Sequence, residues 1–229
     1  MKRLKKILLL AVAMLLAAVI SITATIAYLK SQTDVVPNAF AVGNVKVSLD
    51  EAKVNENGQP VDENGNVVAL EDAPRVLNNH YKLLPNRTYI KDPTIYVEEG
   101  SEDCIVFVLL CMPKSLASVY DRCIEPQISA NGWALTGYTV PDGAVGSEEF
   151  GKVFAYNQGR PVSENTAIPL FNSITIDKSV TQDQLKGLDL NEIKITAFAF
   201  QNEGTDDMFV RDVWNIILET YSPVGLKKQ

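Results

Sequence analysis

Along residues 45–50 apolar and polar side chains alternate. Val45, Val47 and Leu49 take one side, and Lys46, Ser48 and Asp50 the other. A period of two predicts a strand with one buried face, and Gly43-Asn44 ahead of it predicts a bend or bulge. The run 104–111, CIVFVLLC, is apolar at every position. Such a strand must be covered on both faces. Its length, with Asp103 before it and Pro113 after it, favours the central strand of a β-sandwich over a helix. Around 94–98 the same period turns Ile95 and Val97 inward and leaves Thr94, Tyr96 and Glu98 facing out. A turn at Leu84-Pro85-Asn86 leads into Ile90. Further strands are expected at 132–135 with 137–140 as a pair, at 152–157 and at 168–176. Ile193, Ile195, Ala197 and Ala199 alternate with Lys194, Thr196, Phe198 and Phe200, which predicts a last strand whose end is apolar on both faces.

Helical signals are few and short. One or two turns are expected at 115–122. Thr181-Gln182-Asp183-Gln184 has the spacing of a capping box and opens a short helix ending near Gly187. Thr205-Asp206-Asp207 caps a closing amphipathic helix, with Phe209, Val213, Ile216 and Ile217 as its apolar stripe. Between the first strands lies a tandem duplication, NENGQPV at 55–61 and DENGNVV at 62–68. Each copy carries an Asn-Gly suited to a tight turn, so a solvated hairpin or mobile insertion is expected over 55–75. The predicted class is mainly β, one domain over 42–229 with short helices.

The chain opens with Lys2, Arg3, Lys5 and Lys6, followed by 23 uncharged residues from Ile7 to Leu29. That run exceeds the ~7–15 residues of an ordinary signal core and is long enough to span a bilayer as a helix. Ser21, Thr23 and Thr25 weaken its second half, and Thr25-Ile26-Ala27 offers small residues where a signal peptidase reads. Cleavage between Ala27 and Tyr28 is favoured over an uncleaved anchor. Under either reading the basic end stays in the cytoplasm and the rest of the chain lies outside. Residues 28–41 then form an N-terminal arm.

Removing the four cations of residues 1–27 turns the formal charge of −7 into −11. So acidic a remainder would repel phosphates, which argues against nucleic acid as a partner. Cys104 and Cys111 are seven residues apart in a predicted strand, roughly 23 Å when extended and far beyond the ~7 Å reach of a disulfide. Cys123 could pair with one of them, Cys111–Cys123 being the candidate bridge. Buried free cysteines acting as small apolar residues are the simpler reading. Asp62, Asn64 and Asn66 start like a calcium loop, but Val67 stands where Gly is needed and Ala73 where Glu is needed. His80 is the only histidine, set among polar residues, and is expected at the surface. No nucleophile elbow, P-loop, dinucleotide loop, zinc-protease motif or CxxC pair is present, and the adjacent acids read as solvated faces. No catalytic residue, metal ligand or cofactor is therefore assigned.

The basic start, apolar run and Ala27-Tyr28-Leu29, followed by the arm and Asn38-Ala39-Phe40-Ala41-Val42-Gly43-Asn44-Val45, resemble the TasA/camelysin family. So do Tyr81-Lys82-Leu83 with Lys91-Asp92-Pro93-Thr94, the turn Gly100-Ser101-Glu102, and the stretch from Leu170 to Trp214. The resemblance implies a jelly-roll-like β-sandwich exported by a Gram-positive bacterium through an ER-type signal peptidase. It further implies a secreted, cell-surface or extracellular-matrix location and a biofilm fibre subunit. In such fibres the freed arm, here Tyr28, Leu29, Val35, Val36 and Phe40, adds as a strand to the next copy. The alternatives are a monomeric surface binding module and a camelysin-like metallopeptidase, the latter without ligand spacing in these residues.

Overall fold

The computed structural model describes residues 38–202 apart from 43, 138–147, 182–184 and 186–189. The predicted leader with its Ala27/Tyr28 cleavage point, the arm residues Leu29, Val35 and Val36, most of the 181–187 helix and the closing helix lie outside the described residues.

The described part is mainly β, with several antiparallel sheets. Its strands are β1 (Asn38–Val42), β2 (Val47–Ala52), β3 (Arg75–Val76), β4 (Arg87–Ile90), β5 (Thr94–Val97) and β6 (Cys104–Pro113). After these come β7 (Trp133–Leu135), β8 (Glu149–Tyr156), β9 (Thr166–Pro169), β10 (Ser173–Ile176) and β11 (Lys194–Gln201). They form a five-stranded sheet in the order β1-β11-β6-β8-β7, a four-stranded sheet β3-β2-β5-β9 and a pair β10-β4. All ladders are antiparallel except β1–β11, which is parallel.

The all-apolar run lies where its composition demands. All ten residues of β6 are buried, and β11 and β8 flank it. Cys104, Val106, Val108, Leu110 and Met112 on one face join a single core with Leu49, Ile95, Val97, Ile168, Ile174 and Ile176 of the other sheets. On the opposite face Ile105, Phe107, Leu109 and Cys111 are buried too. Each large apolar side chain so placed contributes about 1.5–3 kcal/mol of transfer free energy.

Several expectations need correction. The strand expected at 168–176 is two strands in two sheets, β9 on β5 and β10 on β4. Pro169 has no N–H to continue a ladder, and Leu170 and Phe171 are both fully buried. Side chains satisfy the interrupted backbone instead. Gln127 accepts from the amides of Asn172 (3.0 Å) and Ser173 (3.2 Å) and donates to Ser173 O (2.8 Å). Trp133 Nε1 donates to Pro169 O and Asn131 Nδ2 to Leu170 O.

Asn131 and Trp133 follow, and Gln127 lies within, a helical segment longer than the one or two turns expected at 115–122. It runs over 114–130 as a 3₁₀ turn, α1 (Ala117–Val119), a π turn at Tyr120–Ile124 and α2 (Glu125–Ala130). Pro126 cannot supply the amide an α-helix would use there, and the wider turn lies just ahead of it. The segment 133–135 pairs with β8, and 138–140, most of the partner expected for it, lie outside the described residues. Thr94 is buried rather than outward, its hydroxyl donating to Asp92 O.

The insertion is only half solvated. In its first copy Gly58 packs on Tyr89, the amide of Ile90 donates to Gly58 O, and Val61 is buried, as is Val54 just before the copy. The second copy projects as a turn closed on Asp62, whose carboxylate accepts from the amides of Asn64 and Asn66 and from Asn66 Nδ2. Those bonds, led by the Asn66 side chain, hold the Asp62 carboxyl below its usual range.

The two Asn-Gly turns should therefore respond differently to a methyl group. Both glycines have positive φ, 72° at Gly58 and 84° at Gly65, but an added Cβ at Gly58 would lie 2.7 Å from Tyr89 Cα while Gly65 faces open space. Gly65→Ala is expected to cost about 1–2 kcal/mol for the left-handed backbone alone. Gly58→Ala adds the overpacking penalty, for about 3–4 kcal/mol in all, as read from urea midpoints.

Candidate functional site: a buried charge cluster

The alternation that buries Val45 and Leu49 continues along β2, so the next inward position is Glu51, 3% exposed. A carboxylate there needs a partner, because an isolated buried charge is far more costly than a buried polar group. Lys91 provides it from just beyond β4, on the same parity as the buried Tyr89. Lys91 Nζ lies 2.8 Å from Glu51 Oε2, and Lys91 is itself 7% exposed. The other carboxylate oxygen, Oε1, accepts from Asn79 Nδ2 at 2.9 Å. Asn79 is 5% exposed and fully used, since it also donates to Ala52 O (2.9 Å) and accepts from the amide of Val54 (2.7 Å).

A second ion set adjoins the first. Asp92 Oδ1 accepts from the amide of Ala52 at 2.7 Å, and Oδ2 from Arg75 Nη1 at 2.6 Å. Arg75 Nε reaches Asp50 Oδ1 at 2.7 Å, and its Nη2 donates to the carbonyls of Asp50 and Asp92. Burial works against the Arg75 charge, but Asp50 and Asp92 outweigh it and raise its pKa above the ordinary value. The planar guanidinium serves two carboxylates and two carbonyls at once, a geometry an ammonium cannot match. Two rings complete the cluster. Lys91 Nζ sits 5.6 Å from the centre of the Tyr81 ring, and Arg75 lies over Tyr96 at 5.9 Å. Burial first, and then the charges of Glu51 and Asp92, push the Tyr81 hydroxyl pKa up, so it stays protonated and donates to Ile90 O.

The cluster gathers residues from β2, β3, the 77–86 connection and the β4–β5 junction. Chemically it offers an amine, a carboxylate and a carboxamide in one buried cluster. Sequence alone assigns no role to these residues. The signal available was the parity of β2, which puts Glu51 on the buried face.

The other sequence-chosen residues lie elsewhere. Phe40 is in β1, in register with Phe198 of β11, so within this chain it is already engaged in a ladder. Cys111 is in β6 and Cys123 in the π turn, and both are free thiols, as is Cys104. Cys123 Sγ accepts from the amide of Thr175 at 3.3 Å and contacts Ser173 O, at the edge of a cleft of about 220 Å³ between the helical segment and β10. The Arg122–Asp177 ion pair (3.2 Å) also lines that cleft. His80 is exposed. Among the described residues no group of three or more His, Cys, Asp or Glu is placed to hold a metal ion. Comparison with protein-family models, with curated proteins and with solved structures returned no match.

Two outcomes follow. Arg75→Met strands Asp92 and Asp50 and is expected to lower stability by about 2–4 kcal/mol. Arg75→Lys should recover only part of this, measured by urea unfolding. Burial pushes the thiols of Cys104 and Cys111 up to about 12, from an ordinary value of 9.0. Unfolded thiols then release protons at a lower pH than folded ones, so stability is full below pH 9 and declines as pH rises from there toward 12. In native protein at pH 8 a thiol reagent should label one equivalent, Cys123, with the other two labelled only on unfolding. Three rapid equivalents would contradict this placement.

Proposed function

We propose that this chain is an exported structural protein of a Gram-positive cell surface or extracellular matrix. In this reading it is a jelly-roll-like β-sandwich with an N-terminal signal helix. It forms fibres when the arm of one copy adds as a strand to the next. The observation that carries the reading is β1. Among the described residues it is the edge strand of the five-stranded sheet, and a parallel backbone ladder, unique among the described pairs, joins it to a strand more than 150 residues later. The end of the arm forms most of β1, and the rest of it, residues 28–37, immediately precedes that strand in sequence. Exposed edges recruit strands: backbone hydrogen bonds supply affinity and alternate side chains supply register. An arm beginning at Tyr28, with Leu29, Val35 and Val36 as its apolar positions and Phe40 already anchored on β11, is suited to bridge from its own sheet to a neighbour. A signal peptidase acting between Ala27 and Tyr28 frees it, and until then the apolar segment holds the chain in the membrane. The sandwich reading is supported by the core shared between one face of β6 and the inward residues of the other sheets.

The test removes residues 28–36 from the mature protein. Fibres by electron microscopy in the intact protein and none in the truncated one is the expected result, and undiminished fibres from the truncated protein would overturn it. A protein that elutes as a monomer under all conditions would favour a surface binding module. Chelator-sensitive proteolysis would favour a camelysin-like metallopeptidase.

A further inference from the structure

Lys91, Asn79 and Glu51 are more than a satisfied ion pair. The two oxygens of one carboxylate hold, separately, the amine of Lys91 at 2.8 Å and the carboxamide nitrogen of Asn79 at 2.9 Å. The carboxamide oxygen accepts a backbone N–H, that of Val54, at 2.7 Å. All three side chains are at least nine-tenths buried. This set contains a nucleophile, a proton carrier touching both nucleophile and leaving group, and a fixed dipole at the oxygen where charge would develop. It holds them together where water does not compete.

We propose that Lys91 and Asn79 join in an intramolecular isopeptide bond, with Glu51 as the catalytic residue. Lys91 Nζ bonds to Asn79 Cγ, and the Cγ–Nδ2 bond breaks. Two of the three ammonium protons pass through the Glu51 carboxylate to Nδ2, which leaves as ammonium, and the third stays on the new amide nitrogen. Charge and atoms balance without an oxidant, a cofactor or any further reactant. The Val54 N–H steadies the tetrahedral oxyanion, and the Ala52 carbonyl, which accepts from Nδ2, orients the leaving group. The Tyr81 ring beside Nζ closes that side of the pocket. The product would tie the connection after β3 to the β4–β5 junction. It is independent of whether the arm assembles copies into fibres.

The experiment is peptide mapping by mass spectrometry on the purified, denatured mature protein. The expected result is one branched peptide containing both 79 and 91, lighter than its two parts by one ammonia, with the unlinked peptides reduced to a minor fraction. Lys91→Arg keeps the charge opposite Glu51 and should give unlinked chains. Glu51→Gln should leave the two peptides separate even where the variant folds. Recovery of 79 and 91 in two unmodified linear peptides from wild-type protein would overturn the proposal. Ammonia loss confined to a linear peptide spanning Asn64-Gly65 would overturn it equally, since a succinimide in that exposed turn gives the same mass. An undiminished link in Glu51→Gln would remove Glu51 from the reaction.

Discussion

A carboxylate on the inward face of β2 is the constraint around which this half of the molecule is arranged. Glu51 occupies a position its strand's period reserves for an apolar residue, and the energetic consequence falls on everything nearby. Neutralising it brings Lys91 inward, and filling its second oxygen brings in Asn79. Asn79 in turn takes the amide of Val54, and Asp92 takes that of Ala52, two backbone donors close together at the end of β2. The short β3 is held through Arg75 by the carboxylates of Asp50 and Asp92. Each polar group has a partner, the condition under which a buried network adds rigidity rather than subtracting stability.

The other organising problem is a change of sheet. The chain leaves the four-stranded sheet at Pro169 and enters the β10–β4 pair at Ser173, with two large apolar residues buried in the crossing. Backbone groups at such a crossing have no ladder, and burial would leave them unsatisfied. The 114–130 segment provides what is missing through Gln127, and the residues just after it through Asn131 and Trp133. Its π turn ahead of Pro126 spares the helix a bond that proline cannot make. Packing of this segment and closure of the β9–β10 crossing are thus one event.

Strand existence was largely legible from sequence, and the reasons are local. A run with no polar residue, as in β6, has only a two-sided burial open to it, and period-two alternation marked β2, β5 and β11. The β9–β10 break was missed because 168–176 reads as one apolar segment. What divides it is the tertiary supply of hydrogen bonds from residues some 40 positions earlier, aided by one proline. The length of the helical segment was missed because Pro126 reads as a stop, and the π turn that accommodates it has no signature of its own. The charge cluster was half legible. Parity exposes Glu51 as an inward charge, but Tyr89 and Ile90 are both apolar and leave the side of Lys91 open, and that Asn79 and Arg75 join the cluster depends on the path of the insertion, which alternation does not encode.

The Glu51–Lys91–Asn79–Asp92 cluster is buried and fully hydrogen-bonded, and so should be a rigid part of the fold. Native-state hydrogen exchange at the amides of Ala52 and Val54 tests it most directly, because both donate to side chains of the cluster rather than to a long ladder. Protection at both amides should be comparable to that of the β6 amides in the middle of the core. Exchange at the rate of the exposed Asn64-Gly65 turn would contradict it.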